Sequence, residues 1–175
     1  MGYQPTIYTN NEDNTCRFAL GTQGLNPLIV IGINPSTADD KTSDKTINRV
    51  IGFANGNGFD SFLMLNLYPQ RTPYPNNLDK KIDTNSNNLN LNCISELLAK
   101  YNKPTILAAW SEKIEIRDYL KNCLKEIFEV TKNDNVNWIK LGDYTKKGHP
   151  RHPLYAKYTL PLTNFEIEKY INKLK

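Results

Sequence analysis

The chain has 175 residues, of which 39% are hydrophobic and 23% are charged, and its 22 basic and 18 acidic residues give a net charge of +4. This length suffices for one domain with a buried core, so we expect residues 1–175 to form a single domain. No apolar stretch reaches the roughly 20 residues of a membrane span, and the polar N-terminus lacks a signal-peptide core. We therefore expect a cytoplasmic protein with no membrane partner.

The cysteines and histidines give no pattern of metal ligands. Cys16, Cys93 and Cys123 are far apart in the chain, which does not match a four-cysteine zinc or iron–sulfur site and favours buried, reduced thiols. His149 and His152 are close together, but no third ligand has a suitable local spacing. The sequence therefore predicts neither a metal nor a cofactor.

Short apolar runs predict four buried strands, and residues 16–20 are compatible with a further short one. In chain order these four strands are expected at residues 28–33, 62–65, 105–109 and 135–141. Residues 1–15 are polar and are expected to be irregular. A long loop is expected at 66–83, because three prolines interrupt regular structure there.

Apolar residues at helical spacing predict four helices that alternate with these strands. The first begins after Asp44, which can cap it, and presents Ile47, Val50, Ile51 and Ala54 on one face. The others are expected around residues 91–101, 116–127 and 167–174, with the Asn-rich tract 85–92 as the start of the second.

This alternation predicts an α/β fold with a mainly parallel, four-stranded sheet covered on both faces. The carboxyl ends of parallel strands lie at one edge of the sheet, and ligands bind at that edge in open α/β sheets. The stretches expected there are residues 34–40, 66–71, 110–112 and 148–155.

Polar side chains with useful chemistry occur in these stretches. Asn34 and Asn66 directly follow apolar strands. A carboxamide can position a water molecule or bind the edge of a base, and it can also simply cap a turn. His149 and His152 lie in a loop stiffened by prolines, where an imidazole can stabilise developing negative charge. A rigid surface turn is the alternative for that loop.

The charged residues leave two interpretations open. The stretch 140–157 is basic and includes Lys146, Lys147 and Arg151, as expected for a phosphate-binding edge or for a solvated surface. Asp39, Asp40 and Asp44 can act as a general base or hold a cation, although polar residues before a helix usually form caps. Phosphate-loop, dinucleotide-binding and hydrolase-elbow motifs are missing from the sequence.

Two motifs resemble those of the uracil-DNA glycosylase superfamily. Gly32-Ile33-Asn34-Pro35 is similar to the first motif, in particular to the Gly-Ile-Asn-Pro-Gly of mismatch-specific uracil/thymine glycosylases. The stretch from His149 or His152 to Leu154 resembles the second motif, which is built around His-Pro-Ser-Pro. Asn66 matches the position of the asparagine that reads the flipped base.

A larger set of segments resembles the bacterial family known as domain of unknown function 1643. This set extends from about residue 15 to residue 159 and includes 16–18, 34–39, 44–49, 66–68, 109–110 and 148–155. The resemblance implies a three-layer α/β/α sandwich like that of uracil-DNA glycosylases, but it implies no established reaction.

The glycosylase resemblance implies excision of a flipped uracil-like or modified base, with DNA or another nucleobase-containing ligand as the partner. In this hypothesis Asn34 positions a water molecule and His152 stabilises the departing base. The resemblance further implies base-binding residues (Asn66, Gly32, Ser36 and Trp110), phosphate-binding residues (Arg71, Lys146, Lys147 and Arg151) and alternates for the chemistry (Asp39, Asp40 and His149).

The chain departs from the glycosylase motifs at two places. Ser36 replaces a glycine, which limits how closely the backbone can approach a ligand. The second motif has one additional residue, and His152 is the favoured match because Pro153 and Leu154 continue the pattern. Two alternatives therefore accompany the glycosylase hypothesis: a non-catalytic nucleic-acid or nucleotide-binding module, and a small-molecule nucleoside N-glycosidase.

Overall fold

The structure of the protein, a computed structural model, describes residues 1–174. These residues form seven strands: β1 (Ile7–Asn10), β2 (Arg17–Gly21), β3 (Pro27–Gly32), β4 (Ser61–Asn66), β5 (Thr105–Ala108), β6 (Asn137–Leu141) and β7 (Leu162–Asn164). They also form four α-helices: α1 (Lys45–Gly56), α2 (Thr84–Leu98), α3 (Asp118–Thr131) and α4 (Ile167–Lys173). The α/β class is therefore confirmed.

All seven strands belong to one mixed sheet with the order β1-β2-β4-β3-β5-β6-β7. The four central strands, β4-β3-β5-β6, are parallel, whereas the pairings at both sides are antiparallel. The expected four-stranded, mainly parallel sheet is thus the centre of a larger one. The prediction missed β1 and β7 because they are short edge strands whose residues are partly exposed and polar.

The helix starts follow from local capping. Asp44 Oδ1 accepts a hydrogen bond from the Ile47 amide at 2.9 Å, as the predicted N-cap of α1 should. Asp83 accepts from the Asn85 amide at 3.1 Å and caps α2, so the Asn-rich tract is indeed the start of that helix.

Helices pack on both faces of the sheet. Val30 and Met64 point toward α1 and form one apolar cluster with it. Ile29 and Ile31, which alternate with Val30 along β3, point to the other face and join the cluster made with α2, α3 and α4. Cys16 and Cys123 are buried thiols, and Cys93 is half-buried.

One edge of the sheet collects most of the polar residues of interest. The four parallel strands all end there, and β2 runs in the opposite direction, so that its first residue, Arg17, lies at the same edge. The loop after β4 is irregular apart from a 3₁₀ turn at Pro75–Asn77. Within residues 1–174, no helix has the length and apolarity that crossing a membrane requires.

Candidate functional site

Asn34 and Asn66 meet at the paired ends of β3 and β4. The parallel register places Gly32 opposite Asn66, and Asn66 is only 1% exposed. With its amide oriented to satisfy its neighbours, Asn66 Nδ2 donates to the carbonyls of Leu65 at 3.3 Å and Asn34 at 3.2 Å. The Asn66 oxygen therefore remains as an acceptor.

Gly32 permits this close approach of the two strand ends. A Cβ at this position would lie 2.7 Å from Met64 Cε and 3.1 Å from the carboxamide of Asn66. Any larger residue at position 32 would have to displace the end of the Met64 side chain and would press against Asn66. We therefore assign Gly32 to the packing of the site.

The side chain of Asn34 holds the following loop in place. Its Nδ2 donates to the carbonyls of Pro35 at 2.8 Å, Gln70 at 3.3 Å and Thr72 at 2.9 Å. These contacts direct the nitrogen toward the loop and fix the orientation of the amide. The Asn34 oxygen, on the other side of the carboxamide, can only accept hydrogen bonds.

His152 and Asn66 lie on the same face of the sheet. Asn66 points to the α1 side, because it follows Met64 by two residues along β4. The 3₁₀ turn Pro153–Tyr155, which directly follows His152, packs against α1, since Arg49 Nε donates to the Pro153 carbonyl at 3.4 Å. The structure thus brings the second motif to the side of the sheet on which Asn66 lies.

The protonation state of His152 follows from its contacts. Burial lowers the pKa of His152 to about 4, against an opposing effect of the nearby Asp44 charge. His152 Nδ1 accepts a hydrogen bond from the Leu154 amide at 3.2 Å. The ring is therefore neutral at pH 7, with its proton on Nε2, and it can donate one hydrogen bond from that atom.

The lowered pKa of His152 predicts a specific dependence of stability on pH. The unfolded chain, in which His has a pKa near 6.5, binds more protons than the folded chain between about pH 6.5 and pH 4. The free energy of unfolding should therefore fall by up to about 3 kcal/mol as the pH drops through this window, and no further below it. Urea unfolding of wild type and His152→Asn at several pH values measures this contribution, and equal pH slopes for both proteins would contradict it.

His149 belongs to a separate buried network. Its Nδ1 lies 2.7 Å from Tyr170 Oη, which accepts from Trp110 Nε1 at 2.9 Å. The Glu115 carboxylate can only accept, so His149 Nε2 donates to Glu115 Oε1 at 3.2 Å, and Nδ1 of the neutral ring then accepts from the Tyr170 hydroxyl. The hydrogen bond from Lys147 lowers the pKa of Glu115 most, and the hydrogen bond from His149 lowers it further. This network connects α4 to the ends of β5 and β6.

Trp110 lies in the core and not at the surface of the site. Its side chain is fully buried, with edge-on ring contacts to Trp138 and Phe165. The expectation that Trp110 contacts a base does not fit this position. Directly after β5 the chain is still inside the sheet layer, so a residue that follows a strand immediately is not always at the ligand-binding edge.

The predicted phosphate-binding residues differ in how far they are already engaged. Lys146 is exposed, whereas Lys147 forms an ion pair with Glu115 at 3.0 Å. Arg151 Nε donates to the Asp143 carbonyl at 2.9 Å. Arg71 is half-buried and contacts the loop that follows β3. Lys147, Arg151 and Arg71 thus each contact a different segment of the protein.

The acidic residues after β3 form a turn. Asp39 Oδ1 accepts from the amides of Lys41 at 2.9 Å and Thr42 at 2.7 Å, and these two bonds lower the pKa of Asp39. Asp40 is exposed and Ser36 is half-buried. In the part of the chain from 1 to 174, no three His, Cys, Asp or Glu residues are grouped as a metal site would require.

Three residues that the structure places in these networks were not predicted as site residues. Tyr170 and Glu115 connect to His149 from distant parts of the chain, and Arg17 lies beneath the loop that follows β3, where its Nη1 donates to the Ala38 carbonyl at 2.8 Å. Local spacing carries no signal for contacts between residues so far apart in sequence. The overall pairing of the strands would have been needed to find them.

Comparisons with curated proteins and with solved structures gave no significant match. The model of a family described as a protein of unknown function (DUF1643) matches residues 17–154. The matched range begins at Arg17, ends just after His152 and includes both Asn34 and Asn66. Because this range covers most of the sequence, the chain belongs to the DUF1643 family.

Proposed function

We propose that the protein binds DNA at the carboxyl edge of its sheet and hydrolyses the N-glycosidic bond of a flipped uracil-like or modified base. In this proposal the helices and the sheet form a three-layer α/β/α arrangement of the uracil-DNA glycosylase kind. The observation that carries the proposal is the pairing of Asn34 with Asn66 at adjacent strand ends, with His152 on the same face. Each of these side chains has a defined hydrogen-bonding direction.

In this proposal, Asn66 contacts the flipped base and determines which class of base is bound. Its two amide hydrogens point to backbone carbonyls, so only its oxygen is left to accept from a ligand. Uracil and thymine carry a hydrogen on N3, whereas the N3 of cytosine is an acceptor. An oxygen at this position matches the N3–H of a uracil-like base, whereas cytosine could be bound there only by turning its N4 amino group to this oxygen.

Asn34 and His152 account for the two halves of the reaction. The oxygen of Asn34 accepts a hydrogen bond from a water molecule and holds it near C1′ of the sugar. The C1′–N bond breaks with its electron pair on the base, the water oxygen bonds to C1′, and the water loses a proton to solvent. The Nε2–H of His152 donates to the departing base anion, which a neutral imidazole can stabilise without first losing a proton.

The surface around His152 suits a nucleic-acid partner. Tyr155 is 88% exposed and lies three residues beyond His152, where its ring can stack on an unpaired base. The exposed cations Lys146 and Lys157 flank this loop in the sequence and can contact phosphates.

An oligonucleotide assay tests the proposal. Single-stranded and duplex DNA containing uracil, thymine mismatched with guanine, or cytosine at one site is incubated with the protein, and abasic sites are then cleaved with alkali. We expect cleavage at uracil and none at cytosine. The absence of any abasic product, with DNA still bound, would contradict a catalytic role.

One observation favours a second candidate, a nucleic-acid or nucleotide-binding module without catalysis. Asp39, the first acidic residue after Asn34, caps a turn with its Oδ1, and the two bonds lower its pKa, which weakens it as a general base. Binding that is unchanged in Asn34→Ala, together with an inactive wild type, would support this candidate. Release of base from free nucleosides, without affinity for DNA, would instead indicate a nucleoside N-glycosidase.

A further inference from the structure

We propose that Arg71, with the buried Arg17 behind it, forms an anion site that binds a phosphate group. This inference deepens the proposed function, because it gives one phosphate of a nucleic acid or nucleotide a definite position. The site would lie over the loop that follows β3, next to residues 36–39.

The backbone brings the two arginines together. The Arg17 amide donates to the Pro69 carbonyl at 3.0 Å, and the Arg71 amide donates to the Thr15 carbonyl at 2.7 Å. The segment before β2 is thereby paired with the segment after β4. Both guanidinium groups then reach the same acceptor, the Ala38 carbonyl, at 2.8 Å from Arg17 and 3.1 Å from Arg71.

The charge of Arg17 is not neutralised by an ion pair. Arg17 is 2% exposed, and its Nε has no hydrogen-bond partner. Among residues 1–174, no carboxylate forms a salt bridge with Arg17 or Arg71. Burial and then the Arg71 charge lower the pKa of Arg17 to about 10, so the guanidinium still carries its charge at pH 7.

The carboxylates nearest the pair in charge, Asp39 and Asp44, each use one oxygen in a cap. Asp44 raises the pKa of Arg17 by its charge, but its Oδ1 caps α1. Asp39 caps the turn at Lys41 and Thr42. The direct acceptors of both guanidinium groups are therefore neutral: the Ala38 carbonyl for Arg17, and the Tyr8 hydroxyl, the Asn14 side-chain oxygen and the Thr37 and Ala38 carbonyls for Arg71.

Two adjacent guanidinium groups that no described carboxylate contacts directly favour an anion. Burying a cation is unfavourable unless an opposite charge compensates it, and the field of a buried charge is weakly screened. Arg71 reaches the surface, where its Nη2 also donates to the exposed Thr37 carbonyl at 3.2 Å. Nη1 and Nη2 of Arg71 already donate within the protein, so its Nε–H is the donor left for a phosphate oxygen. Arg17 adds positive potential from below.

Thermal unfolding in phosphate tests this site. The melting temperatures of wild type, Arg71→Gln and Arg117→Gln are measured in potassium phosphate and in potassium chloride of equal ionic strength. Arg117 is a matched control, since it also donates to loop carbonyls, at Leu78 and Asp79, but has no arginine behind it. We expect phosphate to stabilise wild type and Arg117→Gln equally, and to stabilise Arg71→Gln by less than half as much.

The outcomes separate an anion site from a structural clamp. If phosphate stabilises none of the three proteins, or stabilises all three equally, the arginine pair only holds the loop and the proposal is wrong. Arg17→Lys keeps the positive charge with fewer donors, so it should retain part of the phosphate effect if it folds. The ³¹P resonance of phosphate, which should broaden with wild type and not with Arg71→Gln, gives a readout independent of stability.

Two further ligands show whether the site binds the terminal phosphate of a nucleotide or an internal phosphate of a nucleic acid. Thymidine 5′-monophosphate carries a terminal phosphate, whereas a thymidine oligonucleotide with hydroxyl ends carries only internal diesters. A loss of affinity in Arg71→Gln for one of them identifies the source, and unchanged affinity for both overturns the site. His152→Asn, which removes the proposed chemistry, should keep the phosphate effect, so that failure of the reaction is distinguishable from failure of this site.

Discussion

Asn34→Ala is expected to slow base release by about 100-fold or more. Alanine removes the oxygen that positions the attacking water. It also removes the amide that binds the carbonyls of Gln70 and Thr72. Single-turnover release from a uracil-containing duplex measures the chemical step directly, and the affinity for the same DNA should change far less than the rate.

A second variant separates the loss of the oxygen from a loosened loop. Gln70 Oε1 accepts from the Asp79 amide at 3.0 Å and anchors the same loop away from Asn34. Gln70→Ala should loosen the loop while the Asn34 oxygen stays in place, and its rate should remain within a few fold of wild type. Equal losses in both variants would assign Asn34 to the loop and not to the water.

His152→Asn is expected to reduce the rate of base release by about 100-fold, in the range seen when one hydrogen-bond donor to a developing anion is removed. The asparagine oxygen can take the position of Nδ1 and still accept from the Leu154 amide. The turn is thereby kept, while the donor at Nε2 is lost. The comparison is made at pH 7, where the wild-type imidazole is neutral.

His152→Gln provides the complementary change, since its amide nitrogen can reach the position of Nε2 but the contact to Leu154 is lost. We expect this variant to be less stable than His152→Asn but more active. In wild type, the rate of base release should change through protonation of His152 only near pH 4, because burial lowers the pKa of His152 to about 4. The reverse order of activities would show that His152 acts only as a cap.

The centre of the fold was predictable because its signals are local. The four parallel strands are apolar runs that are buried on both faces, and α1 has both a cap at Asp44 and an apolar face. β1 and β7 were not predicted because edge strands of three or four partly exposed residues have no such pattern. Their pairing depends on the neighbouring strands and not on their own sequence.

The candidate site was predictable in part for the same reason. Asn34 and Asn66 were expected at one edge because both follow buried strands, and the register of β3 and β4 does place them together. Their hydrogen-bonding directions depend in part on carbonyls far away in the chain, those of Gln70 and Thr72 for Asn34 and that of Asn34 for Asn66. The pairing of Arg17 with Arg71 likewise depends on an antiparallel contact that the sequence does not reveal.

The network of Trp110, Tyr170, His149 and Glu115 also determines how the protein should be shortened for experiments. The family match ends at residue 154, but Tyr170 and Phe165 cover the Trp110 ring from beyond that point. A fragment trimmed to the matched range would expose the indole to water and leave both its nitrogen and His149 Nδ1 without their protein partner. Expression boundaries should therefore follow the packing of α4, and not the end of the family match.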